Sequence, residues 1–326
     1  MKMHIRQIAA EVYGGCNFKC PMCPQAEGRE SSFKKKFPLN VFKKMIDEAV
    51  EYGLEVVSLQ GSGEPFLRKD VHEYVEYVKK KNLKCITLTN GFHMTPELSR
   101  RILDAGIDSV RISATGYDRE SYKKWMSSDS FDLVRQNTLS IKKIRDELGL
   151  KTDLHFYHLI TDNNNIQKEL KLYWDNWINY CDIPAEVWLM HNWGGTYSEI
   201  PYTRDMSTKK RSCGRPFSPY ITVRAGGNEG RTGAVVPCCY VLGRDSEAVL
   251  GHIENQSLKE ILNGDLYNDL RKKHNEDNFD QISYCKDCDQ LYDNPDTLVW
   301  TNIPGKEYGQ SKYIKDLDFR SFKNNG

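Results

Sequence analysis

Short apolar runs of strand length alternate along this chain with stretches in which apolar residues recur every three or four positions. The strand-length runs fall at 5–13, 54–60, 84–89, 107–113, 152–160 and 185–191. Between the first two, Val41, Phe42, Met45, Ile46, Ala49 and Val50 lie on one helical stripe. Further helices are predicted near 70–82, 130–148 and 166–179, and "TPELSRRILDAG" supplies another, with Thr95 as N-cap, Pro96 in the first turn and Gly106 as the stop. Strands that alternate with helices build a parallel sheet. Six such strands predict an α/β fold, a partial (β/α)6 TIM-like barrel. After about residue 192 the alternation is lost and glycine, proline and cysteine accumulate, so a boundary is expected between 192 and 212. The expected division is a barrel over 1–200, a smaller domain over 201–292 and an irregular tail over 293–326.

The strands are not uniformly apolar, as strands covered on both faces usually are. In "DSVRISA", Val110 and Ile112 would face the helices, leaving Ser109, Arg111 and Ser113 inward. In "TDLHFYH", Leu154 and Phe156 face out, leaving Asp153, His155 and Tyr157 inside. The same reading turns Gln7, Glu11, Ser58, Gln60, Thr87, Thr89, Glu186 and Trp188 toward the lumen. A closed eight-stranded barrel fills its centre with branched apolar side chains. A polar lumen instead suggests a cavity for a polar ligand, or a hydrogen-bonded network around buried water.

Composition narrows the partner. With 46 basic and 45 acidic residues the formal net charge is +1, which offers no bulk attraction to nucleic acid or to an acidic membrane surface. No apolar run approaches the ~20 residues of a membrane span, and the start lacks a signal-peptide core, so a cytoplasmic protein with a small-molecule partner is expected. Ten cysteines in a long chain without an export signal point to metal binding or redox chemistry rather than disulfides. Cys85 and Cys181 stand alone and read as core thiols.

The phrase "GGCNFKCPMCPQ", residues 14–25, sets Cys16, Cys20 and Cys23 on one loop directly after the first strand, at the end where barrel active sites sit. A cube of four irons held by three thiolates leaves one iron open to a substrate. Cys-x3-Cys-x2-Cys resembles the motif of the radical S-adenosylmethionine (radical SAM) superfamily; three close cysteines are also found in zinc sites. The resemblance implies S-adenosylmethionine and a 4Fe-4S cluster as cofactors. The open iron chelates the methionine amino and carboxylate groups, and one electron from the cluster yields a 5′-deoxyadenosyl radical that abstracts hydrogen. In "LQGSGEPFL", Gly63 and Glu64 resemble the family's glycine-glycine-glutamate motif at the cofactor's amino group. Asn90 in "TLTNG" and Ser113 in "RISATG" occupy the corresponding strand ends, and Ser113 resembles the polar contact to ribose or carboxylate. Met22 stands where an aromatic residue often meets adenine.

Cys213, the pair Cys238 and Cys239, and Cys285 with Cys288 supply five thiols from three later segments. Their order resembles the SPASM or shortened twitch domain that follows the barrel in many radical SAM enzymes. With no cysteine after Cys288, one auxiliary 4Fe-4S cluster fits, held by Cys213, Cys238, Cys285 and Cys288. A four-cysteine zinc site is the alternative. Cys239 is then either a hydrogen-atom donor, as an epimerase needs, or a buried small residue; it could also be the true ligand with Cys238 inert. Without a spare donor the auxiliary cluster can accept the second electron, as a dehydrogenase needs. Arg111, Asp153, His155 and Glu186 suit a hydroxyl-rich or aminosugar-like substrate, and Trp193 is a candidate ring contact. A peptide-modifying maturase is the competing reading, although the first strand begins too early for a fused leader-binding module. A flavodoxin or ferredoxin is the implied electron donor. A zinc-stabilised binding protein and an inactive radical SAM scaffold remain as alternatives.

Overall fold

The computed structural model describes residues 4–26, 35–162, 164–199, 207–243, 246–292 and 298–304. Six parallel strands form the first part of the sheet: β1 (Gln7–Ala10), β2 (Val56–Leu59), β3 (Lys84–Thr89), β4 (Ser109–Ser113), β5 (Asp153–Leu159) and β6 (Ala185–Trp188). The connecting helices are α1 (Leu39–Glu51), α2 (Val71–Lys80), α3 (Pro96–Asp104), α4 (Arg119–Met126), α5 (Phe131–Glu147) and α6 (Ile166–Tyr173). All six expected strands are present, several shorter than the apolar runs that announce them. Thr95 caps α3 by accepting from the Leu98 amide, and Gly106 beyond its end has φ +86°. The sequence reading missed α4, although Asp118 and Ser121 form a capping box at its start.

The sheet does not stop at the expected domain boundary. β7 (Tyr220–Gly226) pairs parallel with β1 on the side away from β2, and β8 (Thr232–Val236) and β9 (Gly251–His252) extend it antiparallel. The helices α7 (Leu258–Asn263) and α8 (Asp265–Asn275) follow. Glu48 on α1 accepts from the amides of Leu258 and Lys259 at 2.8 and 3.0 Å, docking the start of α7 on the barrel's helical layer. The expected irregular tail needs one correction. Its segment β10 (Leu298–Thr301) pairs antiparallel with β6, giving the order β10-β6-β5-β4-β3-β2-β1-β7-β8-β9. The other tail residues, 293–297 and 305–326, lie outside the described ones. Both margins of the six-stranded barrel are therefore paired, which removes edges that would otherwise expose unpaired amides.

Register fixes which side chains share a face, because neighbouring residues of parallel strands point the same way. Ser58 lies beside Ile86, which lies beside Ser109; Thr87 lies between Leu59 and Val110. On β3 the lumen therefore receives Ile86 and Leu88, and the expected placement of Thr87 and Thr89 inside is reversed. Threonine tolerates the helix side because its hydroxyls are paired: Thr87 donates to the Leu59 carbonyl at 2.7 Å and Thr89 to Glu64 at 2.7 Å. Cys85 and Cys181 are fully buried, as expected of core thiols.

Behind β4 and β5 the helix layer closes over an aromatic cluster. The expected helix over 166–179 ends in a widened turn, Trp174–Asn179. That turn lets Trp177 donate to the Gly116 carbonyl and Asn176 to the Tyr117 carbonyl, both at 2.9 Å, tying the loop that follows β4. Trp177 is wholly buried against Tyr122, Phe131, Phe156 and Tyr173. Trp177→Ala is expected to cost about 3–5 kcal/mol, the range for emptying a buried aromatic site. A shift of the urea midpoint measures it; a change within about 1 kcal/mol, as at an exposed position, would contradict this packing.

Candidate active site

The loop that carries Cys16, Cys20 and Cys23 has almost no regular structure, and its backbone is held from several sides. The Gly14 amide donates to the Lys35 carbonyl at 2.8 Å, Gln25 donates to the Gly14 carbonyl at 2.8 Å, and the Gly15 carbonyl accepts from the Glu64 amide at 2.8 Å. All three cysteines are partly exposed. The Phe18 amide points at Cys16 Sγ at 3.4 Å and Asn90 Nδ2 lies 3.9 Å from the same sulfur. Asn90 also donates to Asn17 Oδ1 at 2.9 Å, so this residue braces the cysteine loop from the end of β3.

Glu64 is turned inward rather than outward. It is 2 % exposed and its carboxylate accepts from the Phe66 amide (2.9 Å), the Thr89 hydroxyl (2.7 Å) and the Asn90 amide (2.7 Å). Burial pushes its pKa from 4.5 up to about 7 against the pull of those three donors. The neighbouring Gly63 is indispensable for space, since a Cβ there would meet the Tyr13 carbonyl at 1.9 Å.

Of the lumen candidates, three converge. Arg111 pairs with Glu186 at 2.8 Å and donates through Nε to His155 Nε2 at 3.2 Å, with Tyr157 beneath its guanidinium. Ser113 ends β4 beside Tyr157. Asp153 does not join them: it is the first residue of β5, at the opposite end of the barrel from the cysteine loop, and is exposed.

The later cysteines gather in the second domain. Cys213, Cys285 and Cys288 pack around Phe279 and Leu291. Burial pushes the Cys238 thiol up to about 12, with Cys239 and Cys213 adding to the rise. Burial also raises Cys285 and Cys288, and both feel Cys238 and Cys213. His274, which the sequence reading did not single out, stands beside them. Its Nδ1 lies 3.0 Å from Ser212 Oγ, and its Nε2 lies 3.9 Å from Cys285 Sγ. Ser212 Oγ also accepts from the Gly214 amide. Burial pushes His274 down to about 4, which keeps it neutral.

A cavity of about 440 Å³ is lined by Cys23 and by Tyr240 and Tyr284, the neighbours in sequence of Cys239 and Cys285. Met22 and Cys23 line one side; Tyr240, Tyr284 and Asp287 line the other; Trp193 and Tyr197 come from the turn after β6. Trp193 has φ +46°, an unusual conformation for a bulky residue, followed by Gly194 and Gly195 in the same region. Reciprocal bonds from the Asn192 amide to Asp289 (3.0 Å) and from the Asp289 amide to Asn192 (3.1 Å) anchor that turn to the Cys285–Cys288 segment. His191, also missed, is held between the rings of Trp193 and Tyr240 at centroid distances of 3.8 and 4.0 Å. Arg111, His155 and Glu186 are not among the residues lining this cavity.

A family model of the radical SAM superfamily matches residues 10–164, and one of the SPASM iron-sulfur cluster-binding domain matches 230–289. The chain belongs to the radical SAM superfamily and carries a SPASM domain. It therefore uses S-adenosylmethionine, a 4Fe-4S cluster and auxiliary iron-sulfur chemistry. A probable GTP 3',8-cyclase of Methanococcus maripaludis is 30% identical over 132 residues, 40% of this chain and 44% of that protein. An AdoMet-dependent heme synthase of Nitratidesulfovibrio vulgaris is 33% identical over 115 residues, 35% and 31% of the two chains. The chain thus spans less than half the length of these curated relatives. Among solved structures, BtrN in complex with AdoMet and 2-DOIA superposes with TM-score 0.58 at 18% identity, covering 89% of this chain and 94% of that one. Streptococcus suis SuiB bound to precursor peptide SuiA gives 0.64 at 14% identity, covering 89% and 70%. These two share the fold.

The residues present suit such cofactors. Three partly exposed thiols on one loop, with an amide and an Asn90 side chain aimed at one sulfur, match a cube that needs three protein ligands. Among the described residues no three His, Cys, Asp or Glu side chains stand close enough to hold a single metal ion. A cube spreads its thiolates farther apart, one to each iron. Among the described residues no helix is long and apolar enough to cross a membrane.

The inward carboxylate of Glu64 has a measurable consequence. Its proton is bound more tightly folded, at about 7, than unfolded, at 4.5, so its contribution to stability is complete below pH 4.5 and is lost as pH rises through about 7. The span is roughly 3 kcal/mol. Urea titrations of the cluster-free chain across that window should show a falling midpoint in the wild type and a flatter one in Glu64→Gln. Equal slopes would contradict the assignment.

Proposed function

We propose that this radical SAM enzyme dehydrogenates a small hydroxyl-rich or aminosugar-like molecule. In this reading Cys16, Cys20 and Cys23 hold the cofactor-binding cube, and Cys213, Cys238, Cys285 and Cys288 close one auxiliary cube, the twitch arrangement. The observation that carries it is the aromatic-walled cavity lined by Cys23 and by the neighbours in sequence of Cys239 and Cys285. When bound, S-adenosylmethionine and the two cubes supply a hydrogen-abstracting carbon radical and an electron acceptor. The substrate carbinol would lose a hydrogen atom, an electron and its hydroxyl proton, leaving a carbonyl.

The chain's own groups do the rest. Gly63 lets the backbone come close to the cofactor's amino group, while Glu64 fixes that loop from below. Asn90 steadies Cys16, Ser113 faces the cofactor's polar edge and Met22 offers an apolar contact. Arg111, Glu186 and His155 form a bonded group in the lumen outside the lining of this cavity and are assigned no contact with the substrate there. Asp153, exposed at the far end of β5, has no part in this. Trp193 and Tyr197 offer ring faces to the sugar-like body.

Dehydrogenation is favoured over epimerisation because Cys239 is not among the residues lining the cavity. A small substrate agrees with the complex of BtrN with AdoMet and 2-DOIA on the same fold. SuiB with its precursor peptide on a related fold keeps peptide modification as the second reading. A reductant such as a flavodoxin or ferredoxin completes the system.

The test is anaerobic turnover of the reduced, cluster-loaded protein. 5′-Deoxyadenosine should form together with a substrate-derived carbonyl two hydrogens poorer, and no solvent deuterium should enter carbon. Deuterium at carbon that depends on Cys239 would make the protein an epimerase. Conversion of a peptide, of GTP or of a porphyrin would replace the substrate class, and zinc without sulfide would remove the chemistry altogether. Independently, Cys238→Ala should halve the iron content while Cys239→Ala leaves it unchanged; the reverse outcome exchanges the two cysteines' roles.

A further inference from the structure

One buried ion pair touches both cofactor regions. Glu11, just beyond β1, is 3% exposed, and Arg224, near the end of β7, is 1% exposed. Arg224 Nη1 lies 3.3 Å from Glu11 Oε2. That same oxygen accepts from the amides of Ser62 and Gly63 at 2.7 and 3.3 Å, and Oε1 accepts from the Ala225 amide at 3.2 Å. On its other side Arg224 donates through Nη2 to the Cys239 carbonyl at 2.6 Å and through Nε to the Val241 carbonyl at 2.9 Å. Apart from the Ala225 amide on β7, which holds Glu11 Oε1, the bonds the pair makes to other residues reach two loops. One is the Gly61–Gly63 turn; the other follows directly from Cys238.

The surroundings leave this connection no slack. A Cβ on Gly61 would lie 2.4 Å from the Glu11 side chain, and one on Gly243 would lie 2.2 Å from Val236, with Arg224 Cγ beyond at 3.6 Å. A buried charge pair costs desolvation, and here the cost is offset only while both loops keep their hydrogen bonds to it. Moving either loop would leave hydrogen-bonding atoms of one member of the pair without the partners they have here.

We infer that Glu11 and Arg224 are positioning residues that couple the turn at the cofactor's amino group to the Cys238–Val241 segment, so that the order of one sets the order of the other. The inference rests on the proposed roles of Gly63 and Cys238, and it goes beyond them by assigning a mechanical link between the radical-generating and electron-accepting ends. Such a coupling is reciprocal by thermodynamic necessity. Its functional content is commitment: the radical would be generated only when the electron acceptor's ligand loop is in register.

The test uses the cluster-loaded protein and two readouts that do not depend on turnover. In Arg224→Met, hydrogen exchange at the Ser62 and Gly63 amides, which Arg224 does not touch, should rise by roughly tenfold or more. In Glu11→Gln, the electron paramagnetic resonance signal and reduction potential of the auxiliary cluster should shift, although Glu11 makes no bond to residues 238–241. Arg224→Lys, which keeps the charge but not the fork, should restore slow exchange in part. If each variant disturbs only the loop it touches, the coupling is refuted while the proposed function stands; loss of 5′-deoxyadenosine formation in the wild type would instead refute the function. Where a single variant does not load its clusters, the neutral pair Glu11→Gln/Arg224→Met decides: independent exchange of the two loops supports the link, and wild-type exchange at both overturns it.

Discussion

A loop that must present three thiols to a cofactor cannot bury itself, and the whole active end of this molecule is arranged around that constraint. The backbone after β1 forms almost no ladder of its own, so its amides and carbonyls are satisfied by groups brought from elsewhere. Two buried carboxylates hold the neighbouring turns that pack against it. Glu64 gathers donors from its own turn and from the end of β3, while Glu11 gathers them from the turn after β2 and from β7.

The second domain is less separate than its composition suggests. β7 continues the barrel sheet beside β1, α7 takes its N-terminal bonds from Glu48 on α1, and the turn after β6 is fastened to the Cys285–Cys288 segment through Asn192 and Asp289. These three attachments lie at different places around the barrel. The last of them holds the turn that lines the cavity, with its unusual backbone at Trp193. An aromatic surface built on such a rigid turn loses little entropy when it meets a ligand, which suits recognition of a small polar molecule by ring faces.

Much of the fold was legible in the residues. Apolar periodicity located the six barrel strands because amphipathic spacing reflects which faces are buried, and the capping pattern around Thr95 placed α3 closely. Polarity was a poorer guide to which face of a strand looks inward. Thr87 and Thr89 read as lumen residues, yet register puts them on the helix side, where Leu59 and Glu64 accept their hydroxyls. Asp153 read as a lumen carboxylate, but its place at the start of β5 leaves it in solvent. Capping boxes at Asp118 and at Ser257 with Glu260 were local signals for α4 and α7 that apolar periodicity alone passed over.

By itself the sequence determined where thiolate chemistry is available. Three thiols at that spacing, glycines where the backbone must come close, and later cysteines in hook-like pairs are local facts of covalent order, and they specify the ligand type while leaving iron-sulfur or zinc, and Cys238 or Cys239, open. Only the tertiary structure decided the long-range pairings. His274 beside Cys285, His191 between Trp193 and Tyr240, and Arg224 between Glu11 and the Cys239 carbonyl join residues from 11 to 213 positions apart or from different loops. Such contacts leave no periodic trace in a sequence, because a hydrogen bond between distant segments depends on how strands register and loops dock rather than on what stands next along the chain.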